Sequence, residues 1–433
     1  MKKIVFLIAL VLFTGVFYLS YSNTFASTAL KPWDVTIEFI YDNNKIHYVL
    51  SKNINLLTKD DIQKRQIYCG AKIKAAWIEA QKENDIPYFL SLCYLFPGLE
   101  NFIQKIQKKI DTPPLDAKIV FHPNSMPRFT YSADTIGRQT DIESLSRMLV
   151  SALKTGSFTL SVFVPVLNLQ PKFTLEEAKN TTILRSSFET DCSSSTFNRQ
   201  ANIALALSFF NGLIVTPKTE VSFNNTVGHR TAERGFKTAK ILSDGKYIEG
   251  VGGGVCQAST TLFNALVLAD VQITKLCQHS SKSSYIEPSF DAMVNSGSGD
   301  LGFVNNTERA LYFAAGCING RAKVEIYGIP NEYKIVRRSV IKQVTPYKTY
   351  TIQDYEGKYS DKVLYVDQRY VLQHGAEGTK SEGYLDYYKD GVLVFSRFYR
   401  KNEYRPIDEI DVVGVKKRPK EPNSIPQIPI TSK

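Results

Sequence analysis

The chain has 433 residues, 43% of them hydrophobic and 22% charged, which excludes a fibrous or wholly disordered polymer. Its 53 basic against 42 acidic side chains leave a net charge of +11. No dense basic stripe with interleaved aromatics carries that charge, so it points away from nucleic acid and towards polyanionic wall or envelope polymers.

The opening "MKKIVFLIALVLFTGVFYLSYSNTFASTAL" sets two lysines before an apolar run from Ile4 to about Ser20, with a small-residue exit at Ala26 and Ser27. That is the layout of an export signal, here residues 1–26. The run is slightly long for a cleaved leader and slightly short for a spanning helix, so cleavage and retention as a membrane anchor both stay open. Either outcome puts the rest of the chain outside the cytoplasm, in the cell wall or at the outer face of the membrane.

"PWDVTIEFIYDNNKIHYVLS" predicts two strands around a "DNNK" turn. "TKDDIQKRQIYCGAKIKAAWIEAQKEND" predicts a helix capped by Thr58, and "LENFIQKIQKKID" a second amphipathic helix closed by Pro113 and Pro114. Strands follow at "KIVFH" and "RFTYS", a helix at "DIESLSRMLVSALKTG" and one strand at "TLSVFVPVL". Together these make an N-terminal α+β domain.

"RQANIALALSFFNGLIV" reads as an apolar helix from near Asn198 to Gly212. In "EGVGGGVCQASTTLFNALVLAD" a glycine turn runs into a helix whose apolar stripe is Leu262, Ala265, Leu266 and Ala269. Strands are expected at "VQITKL", "LYFAAG" and "KVEIYG". Beyond about Pro330 the pattern becomes short alternating strands, with a hairpin at "KDG". The Pro- and Lys-rich tail lacks any hydrophobic period and is expected to be disordered.

Six cysteines are present: Cys69, Cys93, Cys192, Cys256, Cys277 and Cys317. An even count in an exported chain permits disulfides. No CxxC or Cys/His ladder occurs, so neither a metal site nor any cofactor is expected.

Cys256 stands apart. Gly252, Gly253 and Gly254 before it let a substrate approach the backbone and leave N–H groups, with that of Gln257, to face a developing oxyanion. At the first turn of a helix the dipole favours the thiolate, the attacking form of the side chain. A buried, inert cysteine in a glycine turn is the plain alternative.

A thiol nucleophile needs a base, and the five histidines offer two candidates. His279, in "KLCQHSSKSSYIEP", follows a strand that can return the chain to the start of the helix. His229, in "NTVGHRTAERGF", is the competitor. Asp291 could orient the base as third member of a triad, or merely cap a turn. A Cys256–Cys277 disulfide would end the nucleophile reading.

Other chemistries are poorly supported. There is no GxSxG elbow, the carboxylates Asp244, Glu249 and Glu287 are scattered, and no Gly-Lys-Ser/Thr follows the glycines.

Six pieces in order resemble the VanW domain: "RQANIALALSFFNGLIVTP", "VSFNNTVGHRTAERGF", "EGVGGGVCQASTTLFNALVLADVQI", "HSSKSSYI", "DAMV" and "DLGFVNNTERALYF". The run "TPPLDAKIVFHPNSMPRFTYSADTIGRQTD" resembles the peptidoglycan-binding domain that often precedes VanW domains. The C-terminal "GAEGTKSEGYLDYYKDGVLVFSRFYRKNEYRPIDEIDVVGVK" is similar to G5 modules.

The resemblance implies a multi-domain α+β architecture: residues 27–185 peptidoglycan-binding, 186–330 VanW-like and catalytic, 331–416 an all-β G5-like module, and a tail at 417–433. It implies a cysteine L,D-transpeptidase making 3-3 cross-links, with Cys256 as nucleophile and His279 as base. Peptidoglycan stem peptides and glycan strands would be its partners. A non-catalytic wall-binding or antibiotic-response protein and a cysteine peptidoglycan hydrolase are the alternatives. Two positions depart from the family pattern, Lys218 and Ser289, where glycine is usual.

Overall fold

The computed structural model describes residues 36–49, 99–145, 148, 159–243 and 246–418. The leader, the helix expected from Thr58, Cys69, Cys93, most of the helix expected over 141–156 and the tail beyond 418 lie outside the described residues. Among the described residues no helix is long and apolar enough to cross a membrane. The chain forms two compact units, Met1–Lys118 with Ser132–Leu175, and Ile119–Tyr131 with Glu176–Lys433.

In the first unit, β1 (Thr36–Tyr41) and β2 (Asn44–Val49) form the expected hairpin. Asp42 and Asn43 take φ of 42° and 64°, the left-handed pair that a tight two-residue turn demands. Helix α1 (Leu99–Ile110) buries Leu99, Ile103, Ile106 and Ile110, one face at helical spacing. The hairpin β3 (Lys118–Phe121) and β4 (Phe129–Ser132) follows, nearly all of it assigned to the second unit. Then come β5 (Gly137–Thr140), β6 (Thr159–Phe163) and β7 (Val166–Leu169). The single strand expected at "TLSVFVPVL" is therefore two. Pro165, with no N–H for a ladder, divides β6, which pairs parallel with β1, from β7, which pairs with β5.

The second unit opens with α2 (Leu175–Asn180), β8 (Ile183–Asp191) and α3 (Phe197–Ser208), the last N-capped by Thr196. Short strands β9 (Ile214–Val215) and β10 (Glu220–Ser222) lead to α4 (Phe223–Val227), then β11 (Thr238–Ser243) and β12 (Lys246–Val251). Helix α5 (Val255–Leu268) precedes β13 (Gln272–Lys275), β14 (Gly302–Val304), β15 (Leu311–Ile318) and β16 (Arg321–Gly328). A four-stranded sheet in the order β8-β16-β15-β9 supports α3 and α5, and β13 returns the chain into a second sheet, β10-β14-β13.

The expected one-sided stripe on α5 understates its burial. Val255 and every residue from Gln257 to Val267 are buried. The polar members of that run are satisfied inside. Ser259 Oγ donates to Ala292 O at 2.6 Å, Thr260 Oγ1 accepts the Ala292 N–H at 3.0 Å, and Asn264 Nδ2 donates to Phe290 O at 2.8 Å. A polar stripe on a buried helix thus fixes the backbone of residues 290–292 against it.

The C-terminal strands are β17 (Lys334–Thr345), β18 (Thr349–Gln353), β19 (Arg369–Gln373), β20 (Gly378–Lys389), β21 (Val392–Tyr404) and β22 (Glu409–Val413). They form two sheets, β17-β20-β21 and β18-β22-β19. The expected hairpin is present, turning on Asp390 and Gly391 at φ 52° and 80°. The strands are longer than the short ones expected: β17, β20 and β21 run 12, 12 and 13 residues. The whole is mixed, strand-rich and multi-domain.

Candidate active site

The glycine turn is built for its place. Gly252 and Gly254 take φ of 85° and 109°, and Gly254 is the N-cap of α5. Gly253 is needed for room: a Cβ there would stand 2.7 Å from Lys240 O. Asn202, wholly buried on α3, pins the turn by donating to Gly253 O at 2.9 Å and Lys237 O at 2.8 Å while accepting the Lys237 N–H at 2.7 Å. Nothing local marked that asparagine in the sequence.

Cys256 is half-buried, at the second position of α5. The thiol donates to Val294 O at 3.2 Å and its side chain is hydrogen-bonded to His279. His279 Nδ1 lies 2.7 Å from Asp291 Oδ2, which leaves the other ring nitrogen for the sulfur. The His279 backbone N–H donates to the same Oδ2 at 2.7 Å, so ring and main chain are both referenced to one carboxylate oxygen. The structure therefore brings Cys256, His279 and Asp291 into one chain of contacts.

The electrostatics follow from that geometry. Burial favours neutral forms, but His279 is flanked by Asp291 and Cys256, whose hydrogen bonds and charges raise it to about 9. Burial pushes the Cys256 thiol up, and the His279 hydrogen bond and charge, with Arg230, turn the balance to a net lowering. Asp291 is opposed by burial too, yet His279, Arg400 and Tyr404 hold it down at about 2. A thiol whose pKa is lowered, beside a histidine whose pKa is raised and which is backed by a carboxylate, is the arrangement of an activated nucleophile.

Other candidates fall elsewhere. His229 is exposed, and among the described residues no contact joins its ring to Cys256. Cys256 and Cys277 are free thiols. Gln257 points inward rather than to substrate. It is 2% exposed, its N–H donates to Gly254 O at 2.9 Å, and its side chain reaches Asp191 O at 2.9 Å and takes a bond from Arg199 at 3.2 Å. Among the described residues the amides of Gly253, Gly254 and Cys256 donate to no backbone carbonyl. The Gln257 amide, by contrast, is taken by Gly254 O.

Sequence reasoning missed Arg230, Tyr285, Arg400 and Tyr404. Arg230 sits over the Phe223 ring at 5.9 Å and donates to Asn224 Oδ1. Tyr285 is pushed up by burial and by the Cys256 charge, so its phenol stays protonated. The two departures from the family pattern have a common basis. Lys218 and Ser289 take φ of 62° and 69°, the left-handed region where glycine is the unstrained residue.

A family model described as "VanW like protein" matches residues 198–327, and one described as "Putative peptidoglycan binding domain" matches residues 72–160. The chain is 32% identical over 228 residues to uncharacterized protein YoaR of Bacillus subtilis (strain 168), covering 52% of this chain and 73% of that one. It is 29% identical over 137 residues to the vancomycin B-type resistance protein VanW of Enterococcus faecalis (strain ATCC 700802 / V583), covering 28% of this chain and 50% of the relative. Among solved structures, the HP0197 G5 domain matches 19% of this chain and 100% of its own at 24% identity and a TM-score of 0.12. The IgA1 protease G5 domain matches 20% and 96% at 17% identity and a TM-score of 0.13. The peptidoglycan-binding match makes this a cell-wall-associated protein with peptidoglycan as a partner. The long match to the Bacillus protein and the VanW model over the Cys256 region agree, and the chain belongs to the VanW family.

Proposed function

We propose that the protein is an extracytoplasmic cysteine acyltransferase acting on peptidoglycan stem peptides, an L,D-transpeptidase that forms 3-3 cross-links. The observation that carries the reading is the Cys256–His279–Asp291 chain at the start of α5, with 2.7 Å between His279 Nδ1 and Asp291 Oδ2. The proposed domain plan is an export signal or anchor at 1–26, a wall-binding domain at 27–185, the catalytic domain at 186–330 and a β module at 331–416.

The Cys256 thiolate attacks the carbonyl carbon of an L-centred stem residue. The resulting oxyanion is met by the amides of the glycine turn and of Cys256, each worth about 3 kcal/mol in such a role. His279, as imidazolium, gives its proton to the departing amine, and a terminal D-amino acid leaves. The thioester is then attacked by an amine of a second stem, whose proton returns to His279 as the new amide forms and the thiolate is released. Asp291 keeps the imidazole in the tautomer that directs its second nitrogen at sulfur.

Mass spectrometry of wall fragments incubated with the protein tests this. Cross-linked dimers lost in Cys256→Ser and Cys256→Ala, with wall binding retained, are the expected result. Shortened or cut stems without dimers would make water the acceptor and the protein a hydrolase. Unchanged products in both variants would remove Cys256 as the nucleophile, and wall binding with neither dimers nor shortened stems from the wild type would leave a binding protein.

A further inference from the structure

We infer that the β20–β21 hairpin is part of the catalytic centre, with Arg400 and Tyr404 acting as positioning residues that hold Asp291, and through it His279, in line with Cys256. This deepens the reading of the Cys256 site and rests on it.

Asp291 is 1% exposed and divides its two oxygens between two parts of the chain. Oδ2 serves His279, whereas Oδ1 receives Arg400 Nη2 at 2.6 Å and the Tyr404 hydroxyl at 2.5 Å. Arg400 also binds the backbone on either side of Phe290, donating from Nη2 to Asp291 O at 2.7 Å and from Nε to Ser289 O at 2.9 Å. The Tyr404 oxygen accepts the Ser289 N–H at 2.8 Å. The hydroxyl is thus donor to the carboxylate and acceptor from the main chain at once, leaving the phenol no other orientation.

The same strand grips the segment that bears His279. Arg405 N–H donates to Ser280 O at 2.7 Å, Gln278 Nε2 donates to Glu403 O at 2.9 Å, and Asn402 donates to Gln278 Oε1. On β20, Ser381 Oγ meets Ser289 Oγ at 2.8 Å, and Gly383 leaves the space that the Ser289 side chain occupies. Arg400, Asn402 and Tyr404 alternate along β21, as side chains on one face of a strand must. Both segments that carry the base and its carboxylate are therefore fastened to one face of this hairpin. The charged and titratable groups facing Asp291 are His279 from its own side and Arg400 and Tyr404 from β21, with Cys256 and Arg230 beyond the ring.

The test uses full-length Tyr404→Phe, Arg400→Gln and Arg400→Lys, each checked for folding by its melting transition. Two readouts are taken: the pH dependence of Cys256 alkylation by iodoacetamide, which needs no substrate, and kcat and KM on stem peptides. Positioning predicts that Tyr404→Phe moves the alkylation midpoint up towards the free-thiol value of about 8.5. It also predicts that kcat falls about ten- to a hundredfold with KM little changed. Arg400→Gln should do the same or more, and Arg400→Lys should recover part of it. Folded variants with the wild-type alkylation profile and wild-type kcat would overturn the proposal and leave the hairpin a packing element. If Arg400→Gln does not fold, Tyr404→Phe, which keeps the ring, decides alone. Product formation by Cys256→Ser would sink the acyltransferase reading instead, and the alkylation midpoint would still report on the hairpin.

Discussion

Two sulfur sites in the second unit bury the same side chain with opposite results. Cys192 and Cys317 place their sulfurs 3.4 Å apart, Cys192 inside the core beyond β8 and Cys317 on β15. Burial and the neighbouring sulfur push the Cys317 thiol up to about 12. Around Cys256 burial pulls the same way, but a hydrogen-bonded histidine held charged by a carboxylate overcomes it, and the thiol moves down. Burial sets the sign of a cysteine's shift only where no cation is fixed beside it. What separates the lowered thiol from the raised one here is the company of His279 and Arg230, not depth.

That contrast can be broken most directly by labelling. In the reduced protein at pH 7, iodoacetamide should modify Cys256 at least about a thousandfold faster than Cys317, because only the thiolate reacts. Peptide mapping of a time course reads the ratio, and comparable rates would remove the distinction. His279→Gln then takes away the cation while keeping the burial. Cys256 should become an ordinary buried thiol, its alkylation at pH 7 falling by about thirty- to a hundredfold.

Asp291→Asn is the gentler version of that change. His279 should drop from about 9 towards its ordinary value of 6.5. The imidazolium persists in the wild type as pH rises to about 9, and without Asp291 it is lost at lower pH. The alkaline limb of turnover should therefore come down with it, and alkylation at pH 7 should slow by about tenfold. An alkaline limb unmoved in Asp291→Asn would mean that the carboxylate does not govern the ring. The smallest effect belongs to the backbone. Lys218→Gly should relieve the left-handed strain at φ 62° and raise stability by about 0.5–1 kcal/mol, read as a later urea midpoint.

Much of this site could be read along the chain because its determinants are local. The run from Gly252 to Cys256 is a turn feeding a helix wherever it occurs, and the "KDG" hairpin carries its own left-handed residues. His279 could be ranked above His229 from the strand that separates it from α5. The all-round burial of α5 could not be read, since Ser259, Thr260 and Asn264 look like a solvent face until the 290–292 backbone that they bond is placed beside them. Arg400 and Tyr404 lie more than a hundred residues from Asp291 in the sequence, and an arginine in a strand of the C-terminal β module carries no local sign of its partner. The break between β6 and β7 was signalled by Pro165 but masked by the apolar run on both sides of it.

The enclosure of α5 also limits what can reach its sulfur. With Val255 and Gln257–Val267 covered and Cys256 itself half-buried, an electrophile meets this part of the helix at the Cys256 side chain and not along its buried flank. Slender, extended warheads carrying their reactive carbon at the tip should outpace broad planar ones of equal intrinsic reactivity.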